Sequence, residues 1–380
     1  MKNAATLTLT VASAFLAVVA LMVNSPALFY MGLALIVTIL AAKFQARYAV
    51  RDLQISRMAP STAQIGEPVT VMLGIRSLRK LTRPLLLVQD QVPKRLKRDW
   101  LFHPIPVAPS YQQEVVVKYQ FVPKRRGQFA WDEVTIVGSD ALGLATSTFT
   151  YQADAANLKV FPAPLPFDLD LNLSGGFGSD ESTAQRSAAN SLDTRGVREY
   201  VRGDPRKLIH WRSTAKTGEL KVKEFDARTN TQATIFIQKS LGTEVMFQNE
   251  SSLDLLCGHA AFLISKLLPL TNQIVLGGFR ESLGKNLSTY LDALSGIAAT
   301  DTEPLSETIK SSGAGGEIYI FLSVTDTGLP QAIRALSGAN CTVFVLPTKQ
   351  SDSAYQNPGF MDEVQRAGAR VRLLPVPEVK

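Results

Sequence analysis

Two runs without a charged side chain, residues 4–23 (AATLTLTVASAFLAVVALMV) and 27–42 (ALFYMGLALIVTILAA), constrain this 380-residue chain more than any other feature, and only Asn24, Ser25 and Pro26 separate them. At about 1.5 Å per residue the first run spans roughly 30 Å, the thickness of a bilayer's hydrocarbon core, and the second reaches it if Lys43 and Arg47 extend toward the headgroups. The pair reads as a transmembrane helical hairpin. A cleaved signal peptide accounts for Lys2, one apolar run and small residues near Ser25, but not for a second apolar run directly after it. Lys2 before the first run and Lys43, Arg47 and Arg51 after the second, with no basic residue in the turn, put both ends on the cytoplasmic side. The soluble remainder is then expected in the cytoplasm at a bacterial inner membrane.

The chain carries 40 Lys and Arg against 33 Asp and Glu, a net charge of +7 that is unevenly spread. Residues 1–165 hold +9, 166–230 hold +1 and 231–380 hold −3. Excess positive charge beside the apolar runs suits a domain resting on anionic lipid, each basic residue near the surface contributing on the order of 1 kcal/mol. The densest cluster, Lys94 to Arg98 (KRLKR), precedes Trp100 and Phe102. No recognition helix, RNP-like motif or zinc finger accompanies it, so no nucleic acid is expected and the cluster reads as a solvated loop. The two cysteines, Cys257 and Cys341, lack the spacing of a disulfide scaffold or a zinc site.

From residue 46 to about 165 short runs alternate and turn in the manner of an all-β unit: LQISRM, VTVMLGIR, LLLVQD, QEVVVKYQF, FAWDEVTIV and LATSTFTYQ. Six or seven such strands predict an immunoglobulin-like β-sandwich. Residues 166–194 are small, polar and Gly/Ser-rich, the composition of a flexible linker. Residues 231–380 change pattern. TQATIFIQ, NQIVLGGF, EIYIFLSV, CTVFVLP and ARVRLLP alternate with helical stretches near Leu253–Leu268, Leu287–Ala298, Gln331–Leu336 and Gly359–Ala367, which predicts a doubly wound parallel sheet with helices on both faces.

Between linker and sheet, within residues 195–230, lies RGVREYVRGDPRKLIHWRSTAKTGELKVKEF, Arg195 to Phe225. Asp204 suits an N-cap, Pro205 the first helical position and Gly218 the position just past a helix end, so a helix is expected over Pro205–Thr217. On it Leu208, Trp211 and Ala215 share one face, and Arg212 and Lys216 share another. Leu220 and Val222 then alternate with lysines as in a half-buried strand. Nine Arg or Lys against three acids fall between Arg195 and Lys223, giving a strongly basic face.

The motif REYxxGDxxxxIxW followed by a basic helix and ELxVKEF resembles the bacterial domain of unknown function 58 family. These are membrane-anchored proteins commonly encoded beside MoxR-type AAA+ ATPases. An RRG corner at Arg125–Gly127 and a D-x-x-GL corner at Asp140–Leu144 add to the likeness, which extends over nearly the whole chain. The resemblance implies a von Willebrand factor A-like C-terminal domain and a MoxR-type ATPase as partner. It points to Arg198, Glu199, Tyr200, Gly203, Asp204, Arg206, Trp211, Arg212 and Lys216 as the partner-binding segment.

Von Willebrand factor A-like domains hold a divalent cation with D-x-S-x-S after the first strand and a further Asp after a later one, because a hard cation needs converging oxygens. Here the first strand is followed by Gln238, Lys239 and Ser240, and the later one by Ser323 and Val324. With an amide in place of the first carboxylate the site is degenerate, and neither metal nor other cofactor is expected. No HExxH, GxSxG or paired-cysteine motif occurs. Cys257 and His259 lie two apart in an apolar helical run, so they point to different helix faces and read as buried structural residues. GGFRESLGKN, Gly277 to Asn286, fails as a phosphate loop by spacing and by Asn286 at the magnesium position. The sequence therefore favours a membrane-tethered, non-enzymatic interaction protein. The competing reading is a hydrolase or nuclease using the polar cluster around Asp204 and His210.

Overall fold

A computed structural model describes residues 4–80, 83, 85–96, 105–111, 113–169, 194–201, 209–225, 232–247, 250–271, 273–278, 283–336, 339–348 and 352–376. The chain divides into two compact units, 1–163 and 164–380.

The first unit begins with helices α1 (Ala4–Val23) and α2 (Pro26–Ala49). Of the described residues, α2 alone is long and apolar enough to cross a membrane, and the apolar stretch Leu7–Val23 of α1 is shorter. The two helices touch where α2 has no side chain: a Cβ at Gly32 would lie 3.5 Å from the Ser13 carbonyl oxygen and 3.7 Å from the Leu16 Cβ. Most of their large apolar side chains point outward, Leu7, Phe15, Leu21, Phe29 and Leu40 among them. Helix α2 does not stop at the end of the uncharged run. It continues through Lys43 and Arg47 to Ala49, so the boundary expected at residue 45 falls inside the helix, and Ala49 at its end is buried in the core of the domain that follows.

That domain is a β-sandwich. One sheet is antiparallel, in the order β1 (Leu53–Met58), β3 (Val69–Ser77), β6 (Val115–Phe121). The other runs β2 (Thr62–Gln64), β8 (Thr146–Phe161), β7 (Gly127–Ser139), β4 (Leu86–Asp90), β5 (Ile105–Val107), with β2 parallel to β8 and the remaining pairs antiparallel. Inward residues of the two sheets meet in two cores. Leu53, Leu73 and Ile75 face Leu86, Val88 and Ile136, while Val71 and Phe121 face Trp131, Leu158 and Val160. The six strands expected from alternation form. The three-residue strands β2 and β5 are additional, too short to show a period of two. Leu96, in the middle of the basic cluster, is fully buried, so that part of the cluster is a plug in the sandwich and not a solvated loop; residues 97–104 lie outside the described residues.

One polar network sits inside the sandwich. Arg57 makes a fork with Asp90 (2.7 and 3.2 Å) and donates to the carbonyls of Trp131, Glu133 and Asp154. Strand β7 shifts register between Trp131 and Glu133, so the guanidinium satisfies carbonyls that the bulge takes out of the ladder. Tyr119 donates to the same Asp90 carboxylate, and burial first, with the Asp90 charge second, pushes its phenol far up.

In the second unit the strands β11 (Gln232–Ile237), β14 (Gln273–Leu276), β15 (Glu317–Leu322), β16 (Asn340–Val345) and β17 (Arg370–Leu373) form a parallel sheet in the order β14-β11-β15-β16-β17. This order is that of one of the common doubly wound folds. Side chains alternate between its faces. Ile235, Ile237, Tyr319, Phe321 and Phe344 pack with the helices Ser252–Leu267 and Leu287–Gly296. Phe236, Ile318, Ile320, Val343 and Val345 pack with Leu305–Ser312, Leu329–Ala335 and Pro358–Arg366. Part of the segment expected as linker belongs to this core. Leu165, Phe167 and Leu169 pack on the first face, and Phe167 sets its ring edge-on to His259 and Phe344. Residues 170–193 lie outside the described residues.

Candidate functional site

The carboxyl ends of β11 and β15 are where the degenerate cation motif was located, and they are joined by a side-chain amide. Gln238 is buried and uses both ends of its amide. Its Oε1 accepts from the backbone N–H of Ser323 (2.9 Å) and Val324 (3.0 Å), and its Nε2 donates to the Val324 carbonyl (2.9 Å). The side chain thus acts as one more peptide unit, extending the parallel pairing one step past the strands. The neighbouring polar groups are committed in the same way. Ser240 donates to the Glu303 carbonyl at 2.8 Å, and Lys239 pairs with Asp301 at 3.0 Å. Asp326 accepts from the N–H and hydroxyl of Ser306, both at 2.9 Å, and from the Gly328 N–H at 3.0 Å. Its carboxylate therefore caps the amino end of helix Leu305–Ser312 and fixes the turn into the next helix. Among the described residues no three His, Cys, Asp or Glu side chains converge as a metal centre.

In the Arg195–Phe225 segment the described residues are 195–201 and 209–225, so the expected cap at Asp204 and helix start at Pro205 lie outside them. A strand β9 (Thr194–Glu199) pairs antiparallel with β10 (Lys221–Phe225), and Ile209 makes a bridge to Val222. That bridge interrupts the expected helix at Ile209, and the described helix α3 runs from Trp211 to Thr217. Its N-cap is His210, whose Nδ1 accepts from the Ser213 N–H at 3.1 Å. Gly218, left-handed with φ 74°, closes the helix as its position suggested. Thr214 accepts from the Lys221 N–H and His210 donates its N–H to the Lys221 carbonyl, so the helix is laced to the hairpin.

The helix buries none of its residues. Trp211 is 66% exposed and does not pack inward with Ala215 as its spacing suggested. Arg212 and Lys216 are exposed beside it, Glu199 is exposed on β9 and Tyr200 is half-buried. Val222 is buried while Leu220 is 45% exposed, so the half-buried alternation holds at one of its two positions. Gly203, Asp204 and Arg206 lie outside the described residues, as does the side chain of Arg198. The segment therefore presents a tryptophan among cations on a small, internally bonded platform. His210, part of the polar cluster named in the hydrolase or nuclease reading, caps helix α3.

His259, the other described histidine, is structural. Its Nδ1 and Nε2 each lie 3.1 Å from a carbonyl oxygen, of Leu165 and Pro375, and burial pushes it down to about 4 despite those contacts. Cys257 is buried, and burial pushes the Cys341 thiol up to about 12. His259 thus joins the segments at Leu165 and Pro375 to the helix Ser252–Leu267.

A feature that the sequence did not single out is the junction of α2 with the sandwich. Arg83 donates to the carbonyls of Tyr48 (3.2 Å), Ala49 (2.7 Å), Arg51 and Asp52 (3.2 Å), gathering the backbone oxygens of the helix end and of the turn after it. The Tyr151 hydroxyl donates to the Val50 carbonyl at 2.8 Å, and Ala49 and Val50 enter the sandwich core. The helix is set into the domain as a fixed part of it.

No family model matches the chain. It is similar to an uncharacterized protein, YeaD, of Bacillus subtilis (strain 168), at 26% identity over 194 residues, and the match spans about half of each protein, 50% of this chain and 48% of that one. Among solved structures, the CARDB domain of the PF1109 protein from Pyrococcus furiosus is matched over 27% of this chain and 92% of that one, at 14% identity and a TM-score of 0.18. A PKD domain of an M14-like peptidase from Thermoplasmatales archaeon SCGC AB-540-F20 is matched over 26% and 92%, at 12% identity and a TM-score of 0.15.

Proposed function

We propose that the chain is a membrane-anchored, non-enzymatic interaction protein. In this reading α1 and α2 form a transmembrane hairpin, the soluble units face the cytoplasm of a bacterium, and the Arg195–Phe225 segment docks a partner. The observation that carries it is the pairing of an outward-facing apolar α2 with a carboxyl end built into the sandwich: lipid-exposed length on one side, a rigid mount on the other. The exposed Trp211, Arg212 and Lys216 supply the docking chemistry, since tryptophan and arginine are the residue types that most often anchor interfaces. The resemblance to the domain of unknown function 58 family nominates a MoxR-type AAA+ ATPase as partner, acting in complex assembly or envelope maintenance, and assigns the C-terminal α/β unit to the von Willebrand factor A-like class. In such a domain Gln238 takes over, by hydrogen bonds, the bridging of strand ends that a cation performs elsewhere.

Co-purification from detergent tests the docking role. The wild-type chain is expected to recover an ATPase that the Arg212→Glu/Lys216→Glu variant loses. Equal recovery by both would remove the segment from the interface.

A further inference from the structure

We infer that the corner Asp140–Leu144 is a second membrane contact, a wedge that seats Leu142 at the headgroup–acyl boundary of an anionic bilayer beside α2. This rests on the reading of α2 as a membrane span and adds to it a role for the β-sandwich.

The corner is built to hold a leucine outward. Asp140 accepts from the backbone N–H of Ala145 (2.7 Å) and Leu142 (3.0 Å), and its own N–H donates to the Ala145 carbonyl. Gly143 turns the chain at φ 69°, a left-handed conformation that costs a glycine nothing. At the tip of this closed loop Leu142 is 70% exposed. A single exposed leucine is ordinary in water; what singles this one out is its place at the tip of a braced loop beside a membrane-length helix, where a lipid surface would accept it.

Its height along the helix agrees. Ala145 and Leu144 pack on Ala42 and Ala46, and the Ala141 N–H donates to Gln45 Oε1 at 3.4 Å, so the corner climbs the last two turns of α2. A hydrocarbon core of about 30 Å accommodates roughly 20 helical residues. Counted from Pro26, the core ends near Gln45, the level at which the corner sits. Phe44 and Tyr48, exposed and in ring contact at 4.5 Å, mark the same level with the aromatic side chains that favour interfaces.

Charge completes the match. Lys43, Arg47, Arg51, Arg79 and Lys80 are exposed around the helix exit, and Arg79 stacks over Tyr48 while pairing with Asp52. These cations sit where phosphate headgroups would meet them. Because Arg83 and Tyr151 fix α2 in the sandwich, the corner cannot swing away from the depth the helix sets.

The test is depth-dependent quenching in the full chain, reconstituted in mixed phosphatidylcholine–phosphatidylglycerol vesicles carrying a nitroxide either shallow or deep on the acyl chain, the shallow one reporting position 142 and the deep one position 36. A fluorophore is attached at Leu142→Cys, at Ile36→Cys in the middle of α2, and at Glu67→Cys in the turn at the opposite end of strand β3. The native cysteines are buried, and the unsubstituted protein serves as the labelling blank. The expected result is loss of emission and a blue shift at position 142, with neither at position 67. Quenching at 36 without quenching at 142 overturns the wedge and leaves the membrane span standing. No quenching at 36 or 142 overturns both.

Discussion

Replacing Gln238 by glutamate isolates the amide's contribution, because it changes one NH2 group to oxygen and leaves the shape intact. Oε1 can still accept from Ser323 and Val324, but the second oxygen now faces the Val324 carbonyl at the place of a 2.9 Å donor contact. At neutral pH this loses one hydrogen bond and sets a charge against a carbonyl dipole in a buried position, a cost of about 3 kcal/mol. Protonation restores a donor toward Val324 and removes the charge. The folded carboxyl is therefore held above its ordinary range near about 4.3, and the penalty, full at high pH, shrinks as pH falls through the raised value. Hydrogen exchange read by mass spectrometry on peptides covering β11 and β15 gives the measurement, as the ratio of variant to wild type at each pH. At about 1.4 kcal/mol per factor of ten, exchange in these strands accelerates by about two orders of magnitude near pH 8 and by far less near pH 5. Gln238→Ala, which leaves the three backbone groups unpaired at any pH, shows a comparable acceleration at both. A glutamate variant as protected as wild type at the higher pH, or one whose deficit is the same at both, would refute the role given to the amide.

Arg57→Ala is expected to cost the β-sandwich about 3–5 kcal/mol, since it leaves the buried Asp90 charge with the Tyr119 hydroxyl but no cation and takes the guanidinium donors from the bulge carbonyls. Hydrogen exchange in β1, β4 and β7 reports it, and a loss under about 1 kcal/mol would show that the network is not structural. His259 predicts a pH dependence in the α/β unit. Its folded value is depressed to about 4, below the ordinary value of 6.5. Stability is therefore complete above about 6.5 and falls as pH drops toward about 4, by up to about 3 kcal/mol. Unfolding monitored in this unit should show that decline and lose most of it in His259→Asn; an unchanged decline would assign it to other groups.

What the sequence made legible was whatever its periodicity carried. The uncharged run ending at Ala42 marks α2, and the strands of the sandwich and of the parallel sheet show alternation or continuous apolar runs. Elements without period were lost. Helix Leu305–Ser312 has only two apolar residues, Leu305 and Ile309, facing inward, and its cap comes from Asp326, distant in sequence. Strand β9 carries a glycine and borders the polar linker. The helix expected over Pro205–Thr217 is not continuous, because Ile209 is claimed by Val222 across the hairpin, a tertiary pairing that local preference does not show. Gln238 was read for what it lacked, a carboxylate, since nothing in a sequence shows that an amide will pair with two backbone N–H groups some 85 residues away. Arg83 was invisible for the same reason: the helix end it serves lies over 30 residues earlier in the chain.

The central claim, a membrane-tethered docking protein, is tested most directly by a photo-crosslinking amino acid placed at position 211 in the full chain in native membranes. Trp211 is exposed on a helix with no buried residues, so the substitution leaves the fold intact. The account predicts a specific adduct with an AAA+ ATPase in the membrane fraction, abolished by Arg212→Glu/Lys216→Glu. Recovery of the chain in the soluble fraction, or irradiation that yields no ATPase adduct, would contradict it.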